Sequence, residues 1–127
     1  MIHVTAPDDV RWDSIKERDK TFIQTTEQDV KEKGLLLPQR INDTFLGFAD
    51  VIEFYYRDAV QQDAQLAATW TRNQDNTGPL GLLQITIPSQ YEKIKAIHNA
   101  AVTTLKKPEL LWESTVEAKS KMLVQAQ

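Results

Sequence analysis

The stretch from Ile41 to Trp70 constrains this chain most. Ile41, Phe45, Phe48, Ile52, Tyr55, Ala59, Leu66 and Trp70 recur at steps of three, four or seven residues, which is the period of one helical face. Read as one helix over residues 39–73, at about 1.5 Å per residue, the segment would be roughly 50 Å long. From Phe45 to Val60 the apolar arc is too wide for a single neighbouring helix to cover. Leu46 and Phe54 fall outside that arc, among Asp43, Asp50, Glu53 and Arg57.

The flanking sequence supplies further helices. Asp8 can cap a helix over residues 9–33, with Gly34 as a left-handed stop and Pro38 as a bar to continuation. Turn residues fill Gln74 to Pro79, and Ser89-Gln90-Tyr91-Glu92 reads as a capping box opening a helix over 89–107. Pro108 ends that helix and suits the first turn of another over 108–125. The expected fold is therefore a single all-α domain, residues 1–127, built as a four-helix antiparallel bundle with a long first helical hairpin. Residues 2–5 and 83–87 alternate in polarity and allow one short two-stranded β ladder.

Bulk properties exclude several classes. The 127 residues include no cysteine, so disulfides, thiolate metal sites and cysteine nucleophiles are all ruled out. A net charge of −3 gives no general attraction to nucleic acid, and the densest basic group, Lys93, Lys95, Lys106 and Lys107, reads as a solvated face. No window approaches the roughly twenty apolar residues of a membrane span, and the N-terminus lacks the pattern of a secretion signal. The expectation is a cytoplasmic protein with no nucleic-acid partner and no membrane span.

Catalytic signatures are missing: there is no phosphate-binding glycine loop, no Gly-x-Ser-x-Gly and no His-Glu-x-x-His. With two histidines and no Glu-x-x-His, neither a metal nor a cofactor is expected. On helical wheels, Asp19, Asp63, His98 and Lys119 intrude into apolar arcs. Counting rises from each reversal puts Asp63, His98 and Lys119 at one level, as an interior polar cluster suited to pH sensing or to a small molecule. A pocket lined by Tyr91, Ile94, Trp112 and Met122 would accompany it. The leading expectation is a non-enzymatic interaction or assembly protein. Its partner, a second copy or another protein, would cover Ile41, Phe45, Leu46, Phe48, Ile52 and Phe54 on the projecting hairpin.

Overall fold

The computed structural model describes residues 1–18, 25–74, 80–107 and 109–115. In them the chain is a mixed α/β protein, and the all-α bundle is overturned. The order is β1 (Ile2–Thr5), α1 (Asp8–Arg18), α2 (Glu27–Arg40), a π-helical turn (Ile41–Phe45), α3 (Leu46–Phe48), β2 (Val51–Tyr56), β3 (Gln65–Arg72), β4 (Gly81–Ile85), α4 (Pro88–Thr104) and α5 (Leu111–Ser114).

The expected helix over 39–73 stops at Phe48, because Ala49 is already extended at ψ 134°, and two strands follow. Val51-Ile52-Glu53-Phe54-Tyr55-Tyr56 is rich in β-branched and aromatic side chains, which favour a pleated, half-buried surface. Ile52, Phe54 and Tyr56 alternate inward. Of the helical-period series, Ile52 and Trp70 lie in the inward rows of the strands, whereas Tyr55 and Leu66 pair with each other on the outer face beyond the bulge. Phe54, misplaced on the helical wheel, is the middle of the buried row.

The helix stop expected at Gly34 and Pro38 is also corrected, since α2 runs through both residues. It opens on a capping box in which the Thr26 hydroxyl accepts from Asp29 N–H while the Asp29 carboxylate accepts from Thr26 N–H. Pro38 cannot donate to the carbonyl four residues back. Three residues later the helix widens into the π-turn, where Leu46 N–H reaches Ile41 O.

The strands form one sheet in the order β1-β2-β3-β4. β1 runs parallel to β2, while β2, β3 and β4 form an antiparallel meander. The expected ladder of 2–5 with 83–87 does not form, because β1 and β4 occupy opposite edges of the sheet. Parallel pairing of β1 with β2 requires a long crossover, which α1, α2 and α3 provide. Ala67 is a bulge: Phe54 pairs with Ala68 and Tyr55 with Leu66.

The inner face carries His3, Thr5, Ile52, Phe54, Tyr56, Ala68 and Trp70. Against it α4 packs Tyr91, Ile94 and His98, and α5 packs Trp112. α2 packs on α4, and α1 on α2. Gly81 lets the Trp70 indole lie across β4, because a Cβ there would come within 2.3 Å of its ring atoms. Trp70 Nε1 donates to Thr115 Oγ1 at 3.2 Å, tying α5 to the sheet. Arg72 donates to the carbonyls of Ala49 (3.0 Å) and Leu46, a cation placed at the end of α3, and it also stacks on Trp70.

The helix expected over 89–107 begins with Pro88 at its first turn and Ile87 as cap, so Ser89 does not cap it. It ends at Thr104 in a Schellman arrangement, with Lys106 N–H on Thr103 O and Lys107 N–H on Val102 O. Lys106 itself takes the left-handed conformation, φ 55°. Of the helix expected over 108–125, Leu111–Ser114 forms one turn, and residues 116–127 lie outside the described residues.

Candidate functional site

Polar chemistry enters the core where β1 meets α4. His3 points inward from β1 because alternate residues of a strand face the same way, and His98 projects from α4 one turn beyond Ile94. Their rings stack with centroids 5.2 Å apart, and His3 Nε2 lies 3.2 Å from His98 Nε2. Thr5 Oγ1 approaches the same His98 nitrogen at 3.4 Å. Phe54 meets His3 edge-on at 6.0 Å and stacks on Trp112 at 5.2 Å, and Trp112 meets His98 edge-on at 5.4 Å, closing a cycle of four rings. Trp112 Nε1 donates to Tyr91 OH at 3.3 Å, satisfying the indole within the core.

Burial lowers both imidazole pKa values, His3 to about 4 and His98 to about 3, because a charged ring loses its hydration there; the positive field of Arg11 adds to the effect on each. Both rings are therefore neutral at pH 7. The Nε2 to Nε2 contact needs one donor and one acceptor, so the two rings carry opposite tautomers. His98 Nδ1 is buried and makes no hydrogen bond among the described residues.

His98 also lines a cavity of about 310 Å³ bounded by the end of β1, α1, α2 and α4. Arg11 and Lys31 bring positive charge to it, Asp8 brings negative charge, and Leu35, Leu37 and Ile97 supply apolar wall. Arg11 Nη1 donates to Asp8 Oδ1 at 3.3 Å and rests against the α2 backbone at Gly34, where a Cβ would collide with it. The absent side chain of Gly34 thus gives the guanidinium its place.

The expected sites fare differently. Asp63 is exposed on the β2–β3 connection, His98 is buried beneath α4, and Lys119 lies outside the described residues, as does Asp19. The Asp63/His98/Lys119 grouping derived from the bundle is thereby lost, and the polar neighbours of His98 are His3 and Thr5. Ile41, Leu46, Ile52 and Phe54 are buried in the core, Phe45 is partly buried against it, and Phe48 is 66 % exposed. These six residues do not share an exposed face. Tyr91, Ile94 and Trp112 are core residues rather than pocket walls, and Met122 lies outside the described residues.

His3, Arg11 and Lys31 were not among the expected site residues, and Gly34 was read only as a helix stop. For His3 the alternation pointed the other way: in Ile2-His3-Val4-Thr5 the apolar residues would ordinarily face the interior, yet Ile2 and Val4 are exposed while His3 and Thr5 are buried. Lys93 pairs with Asp58 at 3.3 Å and Lys95 with Glu113 at 3.2 Å, which neutralises half of the densest lysine group. Among the described residues no group of three His, Asp or Glu could hold a metal ion, and no helix is long and apolar enough to cross a membrane. Compared with known families, curated proteins and solved structures, the chain matches none.

Proposed function

We propose that this chain is a non-enzymatic interaction and assembly protein that associates with a second copy of itself through one end of its sheet. The observation that carries this reading is the distribution of exposed apolar side chains. Of ten large ones among the described residues, six (Met1, Ile2, Phe48, Val51, Leu80 and Leu82) fall at the end where β1, β2 and β4 begin and β3 finishes. The ladder brings them together. Met1 N donates to Val51 O at 2.8 Å, Val51 and Leu82 both register with Thr71, and Asn73 N donates to Leu80 O at 2.9 Å. Phe48 lies just before β2, and Ile2, Val51 and Leu82 point to the outer face.

Single exposed apolar residues are ordinary, but a concentration of them at one place is characteristic of an interaction surface. Ile2 and Phe48 are each 66 % exposed, so large side chains are presented there rather than grazed by solvent. A two-fold axis is the simplest way to cover such a patch, because each copy then offers the other the same apolar set. The two buried imidazoles, with their lowered pKa values, are weak bases at neutral pH and poorly matched to general acid–base work.

Light scattering over a wide concentration range tests the reading. The mass is expected to rise from one chain to two, and a double variant carrying Phe48→Asp and Leu82→Asp is expected to remain a monomer with unchanged circular dichroism. A wild-type chain that stays monomeric throughout, or a double variant that dimerises equally well, overturns it.

A further inference from the structure

Given the self-association proposed above, on which this step rests, we infer that the association surface is gated by protons: acid releases β1 through the His3–His98 pair beneath it, and the surface comes apart with that strand. Two of the six apolar residues at that end, Met1 and Ile2, sit at the head of β1, and the next residue is His3. Ile2 faces outward and His3 inward on one strand, so neither leaves its place without the other. Met1 N is fastened to Val51 O at 2.8 Å, and Val51 belongs to the same apolar set. Release of β1 thus withdraws two of the six side chains and strips the edge of β2 beside a third.

The docked pair has no place for added charge. The two Nε2 atoms, 3.2 Å apart, need one hydrogen between them, and two fully protonated rings would set two N–H groups against each other. His98 Nδ1 is sealed from solvent and makes no hydrogen bond among the described residues, so a proton placed there meets no acceptor. Thr5 from β1, the Phe54 ring from β2 and the Trp112 ring from α5 face the pair, and all are uncharged. The charged groups around the cavity beside His98 are Arg11 and Asp8 from α1 and Lys31 from α2; Asp8 is paired with Arg11 at 3.3 Å, which leaves positive charge in excess. Among the described residues no carboxylate offsets a charge on either ring. With β1 released, the rings meet water and titrate near an ordinary value of about 6.5. Each then favours the released state by about tenfold per pH unit below that value, about a hundredfold for the two at pH 5.5. The charge of the whole chain acts in the opposite sense. Its −3 at pH 7 shrinks as acid is added, so two copies repel each other less, and a loosening in this range does not come from general repulsion.

Comparison of the intact chain at pH 7.5 and 5.5 tests the gate, with light scattering for the dissociation constant, circular dichroism for the fold and amide exchange for the individual strands. The dissociation constant is expected to rise by about tenfold or more at pH 5.5 with the circular dichroism retained. The amides of β1 are expected to exchange faster while those of β3 stay protected. A cross-link supplies the control, free of competing thiols because the chain has no cysteine. Val4 and Tyr55 are register partners on the outer face, so Val4→Cys with Tyr55→Cys can tie β1 to β2. The oxidised form is expected to remain a dimer at pH 5.5, and reduction to restore the acid response; His3→Gln with His98→Gln is expected to flatten that response. A dimer equally tight at both pH values, an oxidised form that loosens as much as the reduced one, an unchanged response without the two histidines, or β3 amides released together with those of β1 overturns the gate and leaves the association reading standing. A chain that is monomeric at pH 7.5 overturns both.

Discussion

Lowering the pH from 7 to 5 should destabilise this protein steeply, through the two buried imidazoles. An unfolded histidine titrates near 6.5, whereas burial holds His3 at about 4 and His98 at about 3. A group whose folded pKa is depressed contributes stability that is present above the unfolded pKa and is lost as the pH falls toward the folded one, here between pH 6.5 and about 3. At pH 5 each unfolded ring has gained nearly a full proton that its folded counterpart refuses, about 2 kcal/mol per ring and about 4 kcal/mol together. Against a total stability of about 5–15 kcal/mol for a domain, that is a large fraction. Urea unfolding followed by the fluorescence of buried Trp70 and Trp112 reads it out; with a slope of about 1–3 kcal/mol per molar urea, the midpoint falls by roughly 1–4 M. The carboxylates of Asp29 and Asp58 are held below their usual range by hydrogen bonds from Thr26 and Tyr56 respectively. They lose their contribution only below the ordinary carboxylate pKa of about 4, outside the pH 5 to 7 window. His98→Gln should remove about half of the pH dependence. A midpoint that does not move between pH 7 and 5 would refute the reasoning, because it would mean that the folded and unfolded rings bind protons alike.

Two substitutions probe the backbone features that position the core. Gly81→Ala drives a methyl group against the Trp70 ring, which Thr115 and Arg72 hold in place, and should cost about 1–3 kcal/mol in chemical denaturation. Lys106→Gly relieves a left-handed residue at the end of α4 and should raise stability by up to about 1 kcal/mol, measured in the same way; a destabilised variant would show that the lysine side chain carries a compensating contact.

Which parts of the fold were legible follows from where periodicity is unambiguous. The pattern of α4 is long, and Tyr91, Ile94, His98, Ala101 and Val102 recur at steps that fit only a helix. The stretch from Phe45 to Trp70 is different, because it holds the end of one helix and two strands, and enough of its apolar residues, Ile52 and Trp70 among the inward ones and Tyr55 and Leu66 among the outward ones, fall by chance at helical spacings. Phe54 was the clue: a large aromatic stranded among charges on a wheel becomes an ordinary inward residue when the period is two. Pro38 and Gly34 misled for another reason. A proline inside a helix costs a hydrogen bond, but here it is buried in the packed interior and the following π-turn adjusts the chain, so tertiary context outweighed local preference. The neighbours of His98 were beyond reach because they depend on β1 pairing with a strand about fifty residues away, a register that spacing within the chain does not encode.

The placement of β1 also bears on how the molecule opens. The β2-β3-β4 meander is built from local contacts, but β1 is an edge strand joined to β2 across the whole helical crossover, so its docking carries the largest loop-closure entropy. It should therefore be among the last elements to form and the first to detach, a separate cooperative unit with faster amide hydrogen exchange than β2 or β3. His3 rides on that unit and is the partner of His98, so detachment of β1 would open both rings to water at once. Acid would then act first on this excursion, filling a partly open state before the meander and α4 come apart.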